Sequence, residues 1–259
     1  MRITYLQQDI IWENPKANYE SVSQQLETIP SDTDIIIPPE TFSIGFSDNM
    51  AQLAEYPQGE TYQFAQRMAQ RHDALFVATW TVKDPTDGKV YNRMHWVQPN
   101  GDYGYYDKGH TFRMSSEASQ IARGSSQTIF EWRGWRIKPA ICYDLRFPKW
   151  NRNSVLPGTQ TMAYDLLIVC ANWPASRREA WTTLIKARAI ENLCYVAGIN
   201  RMGCDGTGIP YAGDSAVIDY KGMVISQCVG AQPTTASIEL SKSDLETFRS
   251  HWPFYLDFD

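Results

Sequence analysis

Apolar positions in this chain follow two periods, and the switches between them outline the elements. An apolar stretch over residues 3–7 reads as a strand, and Pro15 opens a helix that runs to about residue 29. Ile35-Ile36-Ile37 is continuously apolar, the pattern of a strand buried on both faces, and a second helix is expected over about 61–72. The rhythm then changes. Residues 74–82, 90–98 and 103–107 read as strands joined by Pro85-Thr86-Asp87-Gly88 and Pro99-Asn100-Gly101-Asp102, which is hairpin turn chemistry. A second hairpin is expected over 128–142 around Arg133-Gly134, followed by a strand at 166–170, a helix over about 178–192 and a strand at 195–199. Short strands near Ser215, Met223 and Ala236 and a helix near 242–249 complete the list. A parallel start joined by antiparallel pairs fits neither a pure Rossmann pattern nor a barrel. The expected fold class is α/β, with two mixed sheets covered by helices in a four-layer α-β-β-α sandwich.

Composition narrows the range of functions. With 259 residues, 43% of them hydrophobic and 20% charged, the chain can bury a large core, which excludes a disordered, collagen-like or small disulfide-stapled protein. Twenty-four Lys and Arg against 29 Asp and Glu leave a net charge of -5 with no basic run, so neither nucleic acid nor an anionic membrane surface is an expected partner. The first nine residues turn polar before a signal core could form, and the aliphatic run at 166–171 is too short to span a bilayer. A cytoplasmic protein is expected. Five cysteines without a C-x-x-C pair argue against a disulfide framework and a zinc cluster, and no nucleotide or flavin signature is present, so no metal and no cofactor are expected. Evenly spread turn signals give one domain over 1–259, with an unusually aromatic tail from about residue 250 that should pack against the body or a partner.

Three expected strands end in chemically potent residues. Glu40 follows Pro38-Pro39 beyond the second strand, Lys108 follows the strand at 103–107, and Cys142 ends the strand before Tyr143-Asp144. Taken singly, each has an ordinary explanation: a capping carboxylate, a solvated ammonium and a packed thiol. If the strands run the same way, however, the three share one rim, where open α/β sheets place their ligands.

The segments that carry them are Pro39-Glu40-Thr41-Phe42, Tyr106-Asp107-Lys108-Gly109-His110 and Cys142-Tyr143-Asp144-Leu145-Arg146-Phe147-Pro148. In this order and spacing they resemble the nitrilase, or carbon-nitrogen hydrolase, superfamily, over residues 3 to about 226. The resemblance implies a Glu-Lys-Cys triad with Glu40 as general base, Lys108 as oxyanion stabiliser and Cys142 as nucleophile. The backbone N–H of Tyr143 would be a second oxyanion donor. Glu117, seven residues before Gly124 as in the family, would orient Lys108; otherwise it is a solvated loop carboxylate. His110 would be structural, although a Cys-His hydrolase would use it as the base.

Further segments, Ala171-Asn172-Trp173-Pro174, Arg177, Ala187-Arg188-Ala189-Ile190-Glu191-Asn192, Asn200-Arg201 and Gly213-Asp214-Ser215, resemble the bacterial omega-amidase branch. That branch implies hydrolysis of the terminal amide of 2-oxo acids such as 2-oxoglutaramate and 2-oxosuccinamate, with release of ammonia. Arg146 or Arg177 would hold the substrate's carboxylate, and Trp173 or Phe42 would wall the reacting amide. Arg146 has an equal alternative in an ion pair with Asp144 or a backbone clamp. Amidases for deaminated glutathione or N-carbamoyl amino acids, and a non-catalytic nitrilase-fold binding protein, are the competing readings. Two departures stand out: Thr111 replaces the usual Leu, and residues 153–163 form a longer connection expected to reshape the pocket mouth. The resemblance also implies a homodimer or higher homo-oligomer, with the helix that carries Trp181 as a contributor. On that helix Arg188 falls on the apolar stripe and must find an anion or carbonyl partner.

Overall fold

The computed structural model describes residues 1–229 and 232–257. Its first half contains β1 (Arg2–Gln7), α1 (Pro15–Leu26), β2 (Ile35–Ile37), α2 (Glu60–His72), β3 (Leu75–Lys83), β4 (Val90–Val97), β5 (Tyr103–Asp107), a single turn α3 (Glu117–Gln120), β6 (Phe130–Trp132) and β7 (Trp135–Ile141). The second half adds α4 (Pro148–Asn151), β8 (Leu166–Ala171), α5 (Arg178–Asn192), β9 (Tyr195–Asn200), β10 (Met202–Cys204), β11 (Pro210–Ala212), β12 (Ala216–Ile218), β13 (Val224–Gln227), β14 (Thr234–Glu239) and α6 (Lys242–His251). Asn14 caps α1 through its side chain onto the Ala17 N–H, with Pro15 in the first turn, as the sequence predicts. Helix α1 stops at Leu26, three residues short of the expectation.

Two six-stranded mixed sheets result, ordered β14-β1-β2-β3-β4-β5 and β13-β12-β9-β8-β7-β6. In the first, β1, β2 and β3 are parallel, and the antiparallel meander β3-β4-β5 returns β5 to the direction of β2. In the second, β7, β8 and β9 are parallel. Strand alternation then sorts the core into layers. Ile3, Tyr5, Ile35, Ile37, Met94 and Tyr106 from one sheet meet Ile137, Ile141, Ile168 and Ala197 from the other. Leu6, Ile36 and Phe76 pack under α1 and α2, and Leu167, Val169 and Val196 pack under Trp181, Ile185 and Ala189 of α5. The α-β-β-α sandwich is therefore present as expected.

The sequence reading did not resolve the β10–β11 hairpin, whose strands have three residues each. Residues 153–163 stand apart from the expectation made of them: Asn153 is buried against Asn192 and Tyr164, and Met162 packs with Leu193 and Tyr255. These contacts fold the segment onto the end of α5 and the C-terminal tail. Tyr255 of the aromatic tail is buried there, while Trp252, Phe254 and Leu256 are exposed. Arg188 finds both expected kinds of partner, the carbonyl of Leu145 and the carboxylate of Glu191. Among the described residues, no helix is long and apolar enough to cross a membrane.

Candidate active site

Strand direction brings the three potent residues together. Because β2 and β5 are parallel, Glu40 and Lys108 follow the same edge of one sheet, and Cys142 follows β7 at the facing edge of the other. The turns that carry the carboxylate and the thiol are sharp: Thr41 and Cys142 both hold positive φ, 44° and 43°. Non-glycine residues in that region cost about 1–3 kcal/mol each and persist only when held. Thr41 is held by its N–H on Thr79 Oγ1 at 2.5 Å and by the Asn172 amide on its hydroxyl at 2.9 Å. The turn after Cys142 is held by Asp144, whose carboxylate accepts from the Ile141 N–H at 3.1 Å, Tyr106 OH at 2.7 Å and the His110 N–H at 2.9 Å. His110 Nδ1 also lies 2.8 Å from Asp144, and its ring stacks on Phe147. His110 thus braces the loop below the thiol.

At the centre Lys108 Nζ donates to Glu40 Oε1 at 2.9 Å and to Glu117 Oε1 and Oε2 at 2.8 and 3.0 Å. All three side chains are fully buried. Burial by itself would drive the ammonium towards neutrality, but Glu117 and Glu40 outweigh it and hold Lys108 above the ordinary lysine value. Glu117 is fixed in turn by the Phe112 N–H at 2.6 Å, so it is an inward carboxylate of the site and not a solvated one. Gly124 explains the spacing that follows. Its N–H bonds the Lys108 carbonyl at 2.8 Å, and a Cβ there would stand 2.1 Å from the Asp107 carbonyl oxygen, so only glycine lets this loop close on β5.

Glu40 is aimed by two amides. Asn172 donates its backbone N–H to Glu40 Oε2 at 2.8 Å and its side-chain amide to the Glu40 carbonyl at 2.8 Å, and Asn92 donates its side-chain amide to Glu40 Oε1 at 2.8 Å. The thiol of Cys142 lies 3.8 Å from the Asn172 carbonyl. Burial, reinforced by the neighbouring Glu40 carboxylate, pushes that thiol well above its usual range against the opposing pull of Lys108. The surroundings thus favour the thiol over the thiolate.

Cys142 and Lys108 open onto a cavity of about 490 Å³, whose walls include Phe46, Tyr143, Arg146, Trp173, Arg177 and Tyr211. Arg146 lies over the Trp173 ring at 4.7 Å and Arg177 over Phe112 at 5.2 Å. Among the described residues neither guanidinium has a carboxylate within ion-pair distance. Asp144, the alternative partner of Arg146, is occupied by Tyr106 and His110. Phe42 does not reach the cavity; it is fully buried among Tyr19, Phe64 and Phe76 beneath the helices, because it follows Thr41 to the opposite side of the turn. Phe46, four residues on, occupies the wall and faces the Lys108 ammonium at 5.4 Å.

Besides Phe46, sequence reasoning missed two contributors. The β10–β11 hairpin closes one side of the cavity with Asp205, Ile209, Pro210 and Tyr211, and a turn-rich stretch gives no sign of what it will cover. Asn92 had a legible signal: a polar residue in β4 in phase with Met94, which faces the space between the sheets.

Comparison with known proteins identifies the family and the fold. Residues 2–250 match the carbon-nitrogen hydrolase family model. Omega-amidase YafV from Yersinia enterocolitica is 40% identical over 259 residues, covering 100% of this chain and 97% of its own. The 2-oxoglutaramate amidase of Bacillus subtilis is 31% identical over 227 residues, 87% of this chain and 85% of that protein. Among solved structures, a carbon-nitrogen hydrolase superfamily protein from Xanthomonas campestris, with an arsenic adduct in its active site, superposes with a TM-score of 0.94 at 40% identity, covering 100% of this chain and 97% of that one. Yeast Nit3 shares the fold, with a TM-score of 0.82 at 21% identity over 97% of this chain and 94% of its own. The chain belongs to the carbon-nitrogen hydrolase family.

Proposed function

We propose that this enzyme is an omega-amidase that hydrolyses the terminal amide of small 2-oxo acid monoamides, 2-oxoglutaramate and 2-oxosuccinamate, to the dicarboxylate and ammonia. The observation that carries this reading is one cavity lined by Cys142, by Lys108 with Glu40 and Glu117 bonded to it from behind, and by two guanidinium groups that have no carboxylate partner among the described residues, Arg146 and Arg177. A reacting amide at one end and a carboxylate at the other suit those two poles. The names of the 40% and 31% identical relatives support the same substrate class.

The chemistry follows from the protonation states. Glu40 takes the proton from the Cys142 thiol as sulfur bonds to the amide carbon, and the carbonyl oxygen becomes an oxyanion. Lys108 has three N–H donors; Glu40 takes one, the two oxygens of Glu117 share a second, and the third meets the oxyanion. The Tyr143 N–H, in the first turn of the 3-10 helix at Cys142–Arg146, is the second donor. Collapse breaks the C–N bond while Glu40 returns its proton to the leaving nitrogen, giving ammonia and a thioester. Water then attacks that thioester with Glu40 again taking the proton, and the second collapse frees the carboxylate and restores the thiol.

Ammonia release from 2-oxoglutaramate, measured beside glutamine, an aliphatic nitrile, an N-carbamoyl amino acid and deaminated glutathione with Cys142→Ala as the blank, tests the reading. Release confined to the oxo-amide supports it, and turnover of another panel member alone moves the substrate. Arg146→Ala and Arg177→Ala should raise KM for the oxo-amide by about 10- to 100-fold, the worth of a charged hydrogen bond, and leave KM for a carboxylate-free amide nearly unchanged. An equal rise for both amides would remove the arginines from carboxylate recognition.

A further inference from the structure

We infer that Asn92 is a positioning residue of the reaction: its side-chain amide holds Glu40 and Glu117 apart around Lys108 and keeps the base aimed at the thiol. The inference rests on the reading of Glu40 as the base. Asn92 is fully buried on β4 and does not line the cavity, so it acts through the carboxylates.

The geometry is a closed ring. Asn92 Nδ2 donates to Glu40 Oε1 at 2.8 Å and to Glu117 Oε1 at 3.2 Å, and these same two oxygens receive Lys108 Nζ at 2.9 and 2.8 Å. Two nitrogens thus alternate with two carboxylate oxygens. The backbone joins in, since the Asn92 carbonyl accepts the Lys108 N–H at 2.9 Å. One residue therefore fixes the lysine main chain and both acids. Asn92 Oδ1 is buried without a partner, so the amide is anchored by its nitrogen end alone. The opposite orientation would point a carbonyl oxygen at two carboxylates, which fixes the assignment chemically.

The residue type follows from the charges. Two carboxylates against one ammonium leave the buried cluster one negative charge in excess. A third acid would deepen that excess, and a second cation would compete with Lys108 for the oxyanion. A neutral group with two N–H donors adds neither charge and still satisfies one oxygen of each acid. Lys108 is thereby spared from bridging both carboxylates alone and keeps one N–H for the cavity.

Asn92→Leu, similar in shape but without donors, tests this. The expected result is a kcat about 10- to 100-fold lower, the usual cost of losing a partner that orients a functional group, with KM little changed. A substrate-free readout separates this inference from the choice of substrate: alkylation of the Cys142 peptide by iodoacetamide, followed by mass spectrometry across pH, should slow. Failure of wild type on every amide would remove the proposed substrate while the alkylation profiles still decide the role of Asn92. Profiles and kcat that superimpose on wild type would overturn it. If the leucine variant does not fold, Asn92→Asp decides: its rate relative to wild type should rise as pH falls and the new carboxyl gains a proton to donate, and a ratio near one at every pH would overturn the inference.

Discussion

Strand β8 and its neighbours carry a buried charge cluster at each end, and the two clusters are built on opposite principles. Beyond the C-terminal end Asn172 orients Glu40, which shares Lys108 with Glu117. Before the N-terminal end Asp165 is fully buried, with Arg249 Nη1 at 2.7 Å, Arg136 Nη2 at 3.3 Å and Lys242 Nζ at 3.6 Å. Arg249 spends its other donors on the carbonyls of Leu193 and Tyr164, so this cluster closes on itself and ties α6 to the sheet. At the Glu40 rim, by contrast, the Lys108 side chain and the Cys142 thiol both line a cavity. Burial of charge is common to both clusters; open space beside the ammonium and the thiol separates the one proposed to react from the one that closes on itself.

The sharpest way to break that contrast is to remove one cation from each end. Arg249→Ala leaves Asp165 buried with its best partner gone, and should destabilise the fold by about 3–5 kcal/mol in urea unfolding while activity per folded molecule stays near wild type. A large loss of kcat in a folded Arg249→Ala protein would show that the two rims are coupled.

Lys108→Ala should lower kcat per folded molecule by about 10²–10³ through loss of the proposed oxyanion donor, while substrate binding is retained. Equilibrium binding of the oxo-amide to Cys142→Ala with and without Lys108→Ala measures the second half of that statement. A smaller effect is expected from pH. Burial works against ionisation of Asp165, but Arg249 and the Arg136 N–H prevail and hold it below the usual carboxylate range. Its contribution is therefore complete above the unfolded-state value of about 3.9 and is lost as pH falls through the lower folded value. The stability gap between wild type and Arg249→Ala should narrow below about pH 4. A gap that stays constant from neutral to acid pH would mean that Arg249 stabilises by packing and not by charge.

Much of this arrangement was legible before any coordinates. The apolar periods gave every long strand and helix to within a few residues, because each buries one face or two and the pattern must match the period. The segments around Glu40, Lys108 and Cys142 were legible as family motifs, and Glu117 through its spacing to Gly124. The wall of the cavity was not. Phe42 and Phe46 are the same residue type four positions apart, and which of them lines the cavity depends on how the chain leaves the strained turn at Thr41. Residues 153–163 are near Cys142 in sequence and yet pack onto α5 and the tail.

Local periodicity and turn residues act within a few positions of themselves, so the layers, the order of elements and the chemical types of the candidate site groups were written in the chain. Tertiary structure alone decided which strands run in the same direction, and hence that Glu40 and Lys108 share an edge facing Cys142. It also decided which polar residues close the ring around the ammonium. Asn92 lies 52 residues from Glu40 and 25 from Glu117, and hydrogen bonds across such separations exist only once the sheets have paired.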